Sequence, residues 1–197
     1  AFRLKAKKHT IELHRGDLPK GLDFGTSIAV DTETLGLNPA RDRLCLLQLT
    51  SGDNICHLVQ FTGTSYDAPN LKSVLGDERI TKIFHYARFD LAVIERYLGV
   101  ACTPVYCTKI ASKLARTYTD RHGLRDLCRE LLGVDMDKNQ QSSDWGAPEL
   151  SDAQLEYAAI DAKVSLEVYF HLDALPDLTS RLSAADVKAG LAVDVVP

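Results

Sequence analysis

Ile28-Ala-Val-Asp31-Thr-Glu33-Thr34 decides how this chain is read. A short apolar run ends in two acids separated by one residue. Residues two apart on a strand point to the same side, so Asp31 and Glu33 project together and Thr32 faces away. Like charges this close repel, and burial raises the cost. A cation removes that cost. A solvated strand end leading into the turn at Gly36 avoids it, and taken alone the pair fits either description.

Working outward, two more acids sit in telling places. Asp90 closes His85-Tyr-Ala-Arg-Phe-Asp90, just after the apolar run Ile80 to Phe84. It falls in the first turn of the next helix, where an acid also suits the positive end of the dipole. Asp161 closes Tyr157-Ala-Ala-Ile-Asp161, and residues four apart share one helical face. Aspartate has poor propensity for a helix interior, and Ala158, Ala159 and Ala162 around it permit close packing. A solvent-facing Tyr–Asp pair is the alternative. Carboxylates on a strand end, a helix start and a helix face could converge to hold two hard cations, which phosphodiester cleavage needs.

The remaining pattern places these residues. Thr10 to Leu13 reads as a short edge strand. Leu44 to Thr50 and Ile55 to Val59 flank the turn Ser51-Gly-Asp-Asn54 and read as a hairpin. Pro69 to Leu75 reads as a short helix. Ala87 to Leu98 reads as a longer one with Ala87, Leu91, Ile94 and Leu98 on one face, stopped by Gly99. Thr108 to Thr117 and Leu124 to Leu132 follow as helices, the second capped by Gly133. Asp135 to Pro148 reads as loop. Ser151-Asp-Ala-Gln154 is a capping box that opens a last long helix, closed by Pro176. Strands early and helices late give an α/β chain, a mixed central sheet flanked by helices. Residues 1–16 form a polar segment with the edge strand, 17–176 the catalytic domain, and 177–197 a tail of unassigned role.

Composition bounds the partners. At 197 residues the chain is most simply one domain. A net charge of −4 gives no global pull toward nucleic acid, so phosphate binding must be local. Five cysteines without a CxxC pair or zinc spacing read as reduced thiols of a cytoplasmic protein. No stretch approaches membrane-spanning length, and the N-terminus does not read as a secretory leader. The chain starts at Ala1 rather than Met and so reads as trimmed or as a piece.

The three blocks occur in the order of the DEDD superfamily of 3′-to-5′ exonucleases, which the sequence resembles: DxE at Asp31 and Glu33, HxAxFD from His85 to Asp90, YxxxD from Tyr157 to Asp161. Tyr157 resembles the tyrosine branch (DEDDy). Arg43-Leu-Cys-Leu-Leu-Gln48 resembles the second strand of ribonuclease D, and Lys109 to Leu114, His122 to Leu127 and Lys138 to Trp145 resemble its helical half. Two departures stand out. The appended RNA-binding domains of ribonuclease D have no counterpart here, and Tyr86 stands where its second motif usually has Asn. Both, with Cys107 to Leu114 and Arg116 to Gly123, resemble the short single-domain nano-RNase C group.

That resemblance implies a ribonuclease H-like, DnaQ-type fold and hydrolysis of short single-stranded RNA, down to dinucleotides, to nucleoside 5′-monophosphates. It implies that Asp31, Glu33 and Asp161 hold one metal, that Asp31 also bridges to a second about 4 Å away, and that Asp90 acts mainly through bound water. All-carboxylate ligation favours Mg²⁺ or Mn²⁺ over zinc. Tyr157, with an ordinary pKa of about 10, would orient water rather than serve as base. Leu37 resembles an apolar wedge between terminal bases or is a turn residue tucked into the core. Gln48 reads as a sugar contact or as satisfying strand backbone, His85 and Arg88 as phosphate-facing or structural, and His122 as a phosphate contact or part of a solvated face. Lys109, Lys113 and Arg116 share a helical face and Arg125 lies nearby; these read as further phosphate contacts or as a solvated basic face. Trp145 reads as a packing anchor. The group also implies a dimer-based homo-oligomer, a ring of eight. Two other functions compete: a general exonuclease on longer RNA or DNA, as in tRNA 3′ processing, and a non-catalytic nucleic-acid-binding module.

Overall fold

The computed structural model describes residues 9–136 and 139–174. At its centre lies a six-stranded mixed sheet in the order β1-β4-β3-β2-β5-β6. The strands are β1 (Thr10–Arg15), β2 (Ser27–Thr34), β3 (Leu44–Thr50), β4 (Ile55–Gln60), β5 (Thr81–Phe84) and β6 (Val105–Cys107). β2 and β3 are central, and every residue of β3 is buried. That suits the apolar runs Ile28 to Val30 and Leu44 to Leu47, because a strand covered on both faces needs no polar alternation. β2, β3 and β4 run antiparallel in succession, while β1 pairs parallel with β4, β5 with β2, and β6 with β5.

Helices α1 (Pro69–Gly76) and α2 (Arg88–Leu98) cover one face. There Ile28, Val30, Leu47, Leu49, Phe84 and Ile94 belong to the main core. Helix α5 (Asp152–Asp173) covers the other, meeting Leu46 and Leu58 through Ala158, Ala159 and Ala162. Helices α3 (Thr108–Ala115) and α4 (Leu124–Leu127) pack against α5 through Ala111, Leu127, Val164 and Val168. Ser151 caps α5 as the sequence implies: its Oγ accepts from the Gln154 backbone at 3.3 Å, and Gln154 Oε1 accepts from the Ser151 backbone at 3.0 Å.

Three expectations change. β6 has no counterpart in the sequence reading; three residues carry no periodicity, and only parallel pairing with Lys82 to Phe84 makes them a strand. The helix expected over Leu124 to Leu132 is α-helical for one turn and then widens to a π-type turn over Cys128–Leu132, a local irregularity of hydrogen bonding that side-chain periodicity does not signal. The helix from Thr108 stops at Ala115, short of Thr117. The readings of Lys5 to Lys8, of Lys138, of closure by Pro176 and of the tail lie outside the described residues.

Candidate active site

Alternation along β2 puts Ile28, Val30 and Thr32 toward α2, and Ala29, Asp31 and Glu33 toward α5. Asp161, on α5, meets that second set. One carboxylate oxygen from each of Asp31, Glu33 and Asp161 lies within 4.8 Å of the others. The alanines beside Asp161 are wholly buried and let the helix approach closely enough for a short aspartate to reach the strand end.

Asp90 arrives from the other layer. It is buried in the first turn of α2, and Thr32 Oγ1 donates to its Oδ1 at 2.6 Å. Thr32, which turns away from the Asp31 and Glu33 side, therefore ties the fourth acid to the same strand end.

The electrostatics are those of a cation site. Burial, then the charges of Asp90, Glu33 and Asp161, push the Asp31 carboxyl well above its ordinary range. Burial, then Asp161 and Asp90, raise Glu33. Burial also raises Asp90, partly offset by the hydrogen bond from Thr32. Hard oxygen donors in mutual repulsion fit a divalent cation of the Mg²⁺ type. Tyr157 donates to Asp161, and burial followed by that neighbouring charge raises its pKa, so it keeps its proton at neutral pH.

Around this centre the candidate substrate contacts separate. Leu37 is 88% exposed on a braced turn. Thr34 Oγ1 donates to the Gly36 carbonyl at 2.5 Å, and the Asn38 backbone donates to Asp42 Oδ2 at 3.0 Å. A side chain at Gly36 would collide with Asp42, whose Oδ2 lies 2.4 Å from where its Cβ would sit. His85 Nδ1 is 2.9 Å from Thr108 Oγ1; burial, then Lys109, push its pKa down to about 4, so the ring is neutral at pH 7. Arg88 is exposed. His122 Nδ1 lies 2.9 Å from Ser112 Oγ.

Gln48 stands directly across from Asp31 in the β2–β3 register. It is fully buried, and neither its amide oxygen nor its nitrogen has a hydrogen-bond partner among the described residues. It is buried beside Asp31, not on the surface.

Arg116 is no phosphate contact: only 1% exposed, it pairs with Glu130 and donates to Ser112 Oγ and the Arg121 carbonyl. Lys113 and Arg125 remain exposed. Trp145 is a packing anchor, its ring 6.1 Å from that of Tyr157.

The sequence reading missed two rim features. Lys109 Nζ sits 4.0 Å from the centre of the Tyr86 ring, a cation–π contact. Tyr86 itself has φ 64, a left-handed conformation that asparagine tolerates and a bulky residue resists. Tyr where the related motif has Asn was the available signal.

Comparison with known proteins agrees with this geometry. A family model described as 3′-5′ exonuclease matches residues 16–175. DNA polymerase I of Aquifex aeolicus is 34% identical over 173 residues, which are 87% of this chain and 27% of that protein. Ribonuclease D of Escherichia coli is 31% identical over 159 residues, 81% of this chain and 42% of the relative. The chain thus spans well under half the length of these relatives. Among solved structures, Brucella melitensis NrnC with bound Mg²⁺ is 48% identical with a TM-score of 0.84, covering 94% of this chain and 90% of that one. The same protein bound to pGG gives 49% identity and a TM-score of 0.83, covering 94% and 88%. With the match running nearly end to end and the acids converging at one strand end, the chain belongs to the 3′-5′ exonuclease family with the ribonuclease H-like fold, in its ribonuclease D-like, NrnC-like branch.

Proposed function

We propose that this chain is a metal-dependent 3′-to-5′ exoribonuclease that hydrolyses short RNA oligonucleotides, down to dinucleotides, to nucleoside 5′-monophosphates. The observation that carries this reading is the convergence of Asp31, Glu33 and Asp161 within 4.8 Å in a chain of that family. Water attacks the terminal phosphodiester at phosphorus, the bond to the upstream 3′ oxygen breaks, and the last nucleotide leaves with the phosphate.

Two divalent cations, Mg²⁺ or Mn²⁺, supply charge neutralisation at the phosphoryl oxygens and a lowered pKa for the attacking water. Asp31, Glu33 and Asp161 would hold one, Asp31 would also reach the second, and Asp90 would act through water. Tyr157, which keeps its proton, orients the nucleophile through its hydroxyl. Leu37 wedges against the terminal base; His85, Arg88 and His122 meet phosphate or sugar. Gln48, in register with Asp31 and with no hydrogen-bond partner among the described residues, offers its amide to the sugar.

Short substrates fit a chain whose net charge is −4, since long strands reward many phosphate contacts. The related NrnC has been seen with pGG. We also propose a dimer-based homo-oligomer, up to a ring of eight, and a cytoplasmic setting, where the five free buried cysteines stay reduced. No helix of the described residues is long and apolar enough to cross a membrane.

One gel tests the substrate: 5′-labelled RNAs and DNAs from dimer to about a twenty-mer, on the scale of one extended strand in the site, with Mn²⁺ and without. kcat/KM for the RNA dimer is expected to equal or exceed that for the long RNA. Long RNA or DNA degraded with dimers left uncut would favour the general exonuclease instead. Light scattering tests the assembly, and a monomer mass would remove it.

A further inference from the structure

Away from the carboxylate centre, the edge of the sheet carries a second cluster of metal-binding side chains with different chemistry. Glu12 and His14 alternate on β1 and share one side. β1 pairs parallel with β4, with Glu12 in register with His57, and the three side chains meet. His14 Nε2 is 3.0 Å from His57 Nδ1. Glu12 Oε2 lies 3.4 Å from that His57 nitrogen and 3.9 Å from that His14 nitrogen. Since Leu58 packs toward α5, His57 faces the opposite way, so this cluster and the acids lie on opposite sides of the sheet.

We propose that Glu12, His14 and His57 form a binding site for a borderline transition-metal dication of the zinc type, which staples edge strand β1 to β4. Zinc ligands lie about 2.0–2.1 Å from the metal in a tetrahedron, whose edges are then about 3.3–3.4 Å. The three measured separations bracket that edge, so a cation can sit between the ligand atoms with small side-chain adjustment. Two imidazoles and one carboxylate suit zinc, with nickel, cobalt and copper as chemical competitors; the hard Mg²⁺ prefers oxygen alone.

The surroundings agree. His57 is buried, with Phe24 edge-on to its ring at 5.4 Å. That fixes one ligand. The Glu12 side chain is 42% exposed, which provides an entry path and an open fourth position for water. Two ring nitrogens 3.0 Å apart share at most one proton, and ligation moves that N–H to the far nitrogen of its ring.

The test uses the full chain in excess Mg²⁺, so that the carboxylate centre is filled. Zn²⁺ is titrated against a chromogenic chelator, and Co²⁺ serves as a visible-absorption probe of coordination. The expected result is one Zn²⁺ per chain, with affinity at least about 10-fold weaker in His14→Ala and weaker in Glu12→Gln, but unchanged in Asp31→Asn. Backbone amide exchange in β1 should slow on adding Zn²⁺ to the unmodified protein and not to His14→Ala. His14 sits on an edge strand, so its replacement spares the core. Failure to retain Zn²⁺ in excess Mg²⁺, or equal affinity in His14→Ala, would leave only a hydrogen-bonded histidine pair and overturn the proposal. Loss of binding in Asp31→Asn would overturn it too, by assigning the ion to the other face.

Discussion

The two faces of β2 are made of different material. Toward α2 the strand presents Ile28 and Val30 to a core of large aliphatic and aromatic side chains that includes Phe84 and Ile94. Toward α5 it presents Ala29, Asp31 and Glu33, and the helix answers with Ala158, Ala159 and Ala162. The first face is built to exclude water over a large area. The second gives up side-chain volume so that helix and strand come close, which brings Asp161 to Glu33. One strand thus divides the work: its α2 side holds the fold and, through Thr32, positions Asp90, while its α5 side holds a cluster of acids that opposes the fold until a cation joins it.

Each face can be disturbed separately. On the α5 face, Asp31→Ala should reduce turnover at least about 10³-fold, a loss of several kcal/mol of transition-state stabilisation, while leaving the melting temperature in EDTA unchanged or higher. Steady-state kinetics with thermal melts check both. On the α2 face the pattern should invert. Phe84→Ala should cost about 3–5 kcal/mol of stability, read by urea unfolding, while kcat per folded molecule stays within about 3-fold. A collapse of kcat at full folding would show that the two faces are not separable.

Smaller effects sharpen the picture. Tyr157→Phe keeps the ring against Trp145 and removes the hydroxyl; kcat should fall roughly 10²-fold, the scale of one positioning group, with substrate binding largely retained. pH supplies the mildest test. Asp31 and Glu33 carry raised pKa values, so the folded state holds protons that the unfolded chain releases. Without metal, their contribution is favourable below the ordinary carboxylate value of about 4 and is lost as pH rises through the raised values. Melting in EDTA should therefore decline with rising pH across that window, and Mg²⁺ should flatten the slope.

Much of this was legible in the sequence, for identifiable reasons. The run from Ile28 to Glu33 announces a buried strand with paired acids because strand alternation is strict. Ser151 and Gln154 announce a helix start because capping needs those residue types at that spacing. The side chains that join elements were not legible. Thr32 looked idle because the partner of its hydroxyl, Asp90, is 58 residues away. Arg116 looked like a surface cation because helical spacing cannot reveal that Glu130 and the Arg121 carbonyl surround it. Gln48 reads as a sugar contact or as a residue satisfying strand backbone, and only the β2–β3 register places it beside Asp31.

On the proposed function, acids from β2 and α5 make one divalent-cation site that cuts RNA. Equilibrium Mn²⁺ binding, followed by the loss of free Mn²⁺ signal in electron paramagnetic resonance, tests it most directly when run beside cleavage of an RNA dimer. Asp31→Asn and Asp161→Asn should each weaken Mn²⁺ binding at least about 10-fold and abolish cleavage, and EDTA should abolish cleavage by the unmodified protein. Undiminished Mn²⁺ binding in either variant, or full cleavage in EDTA, would contradict it.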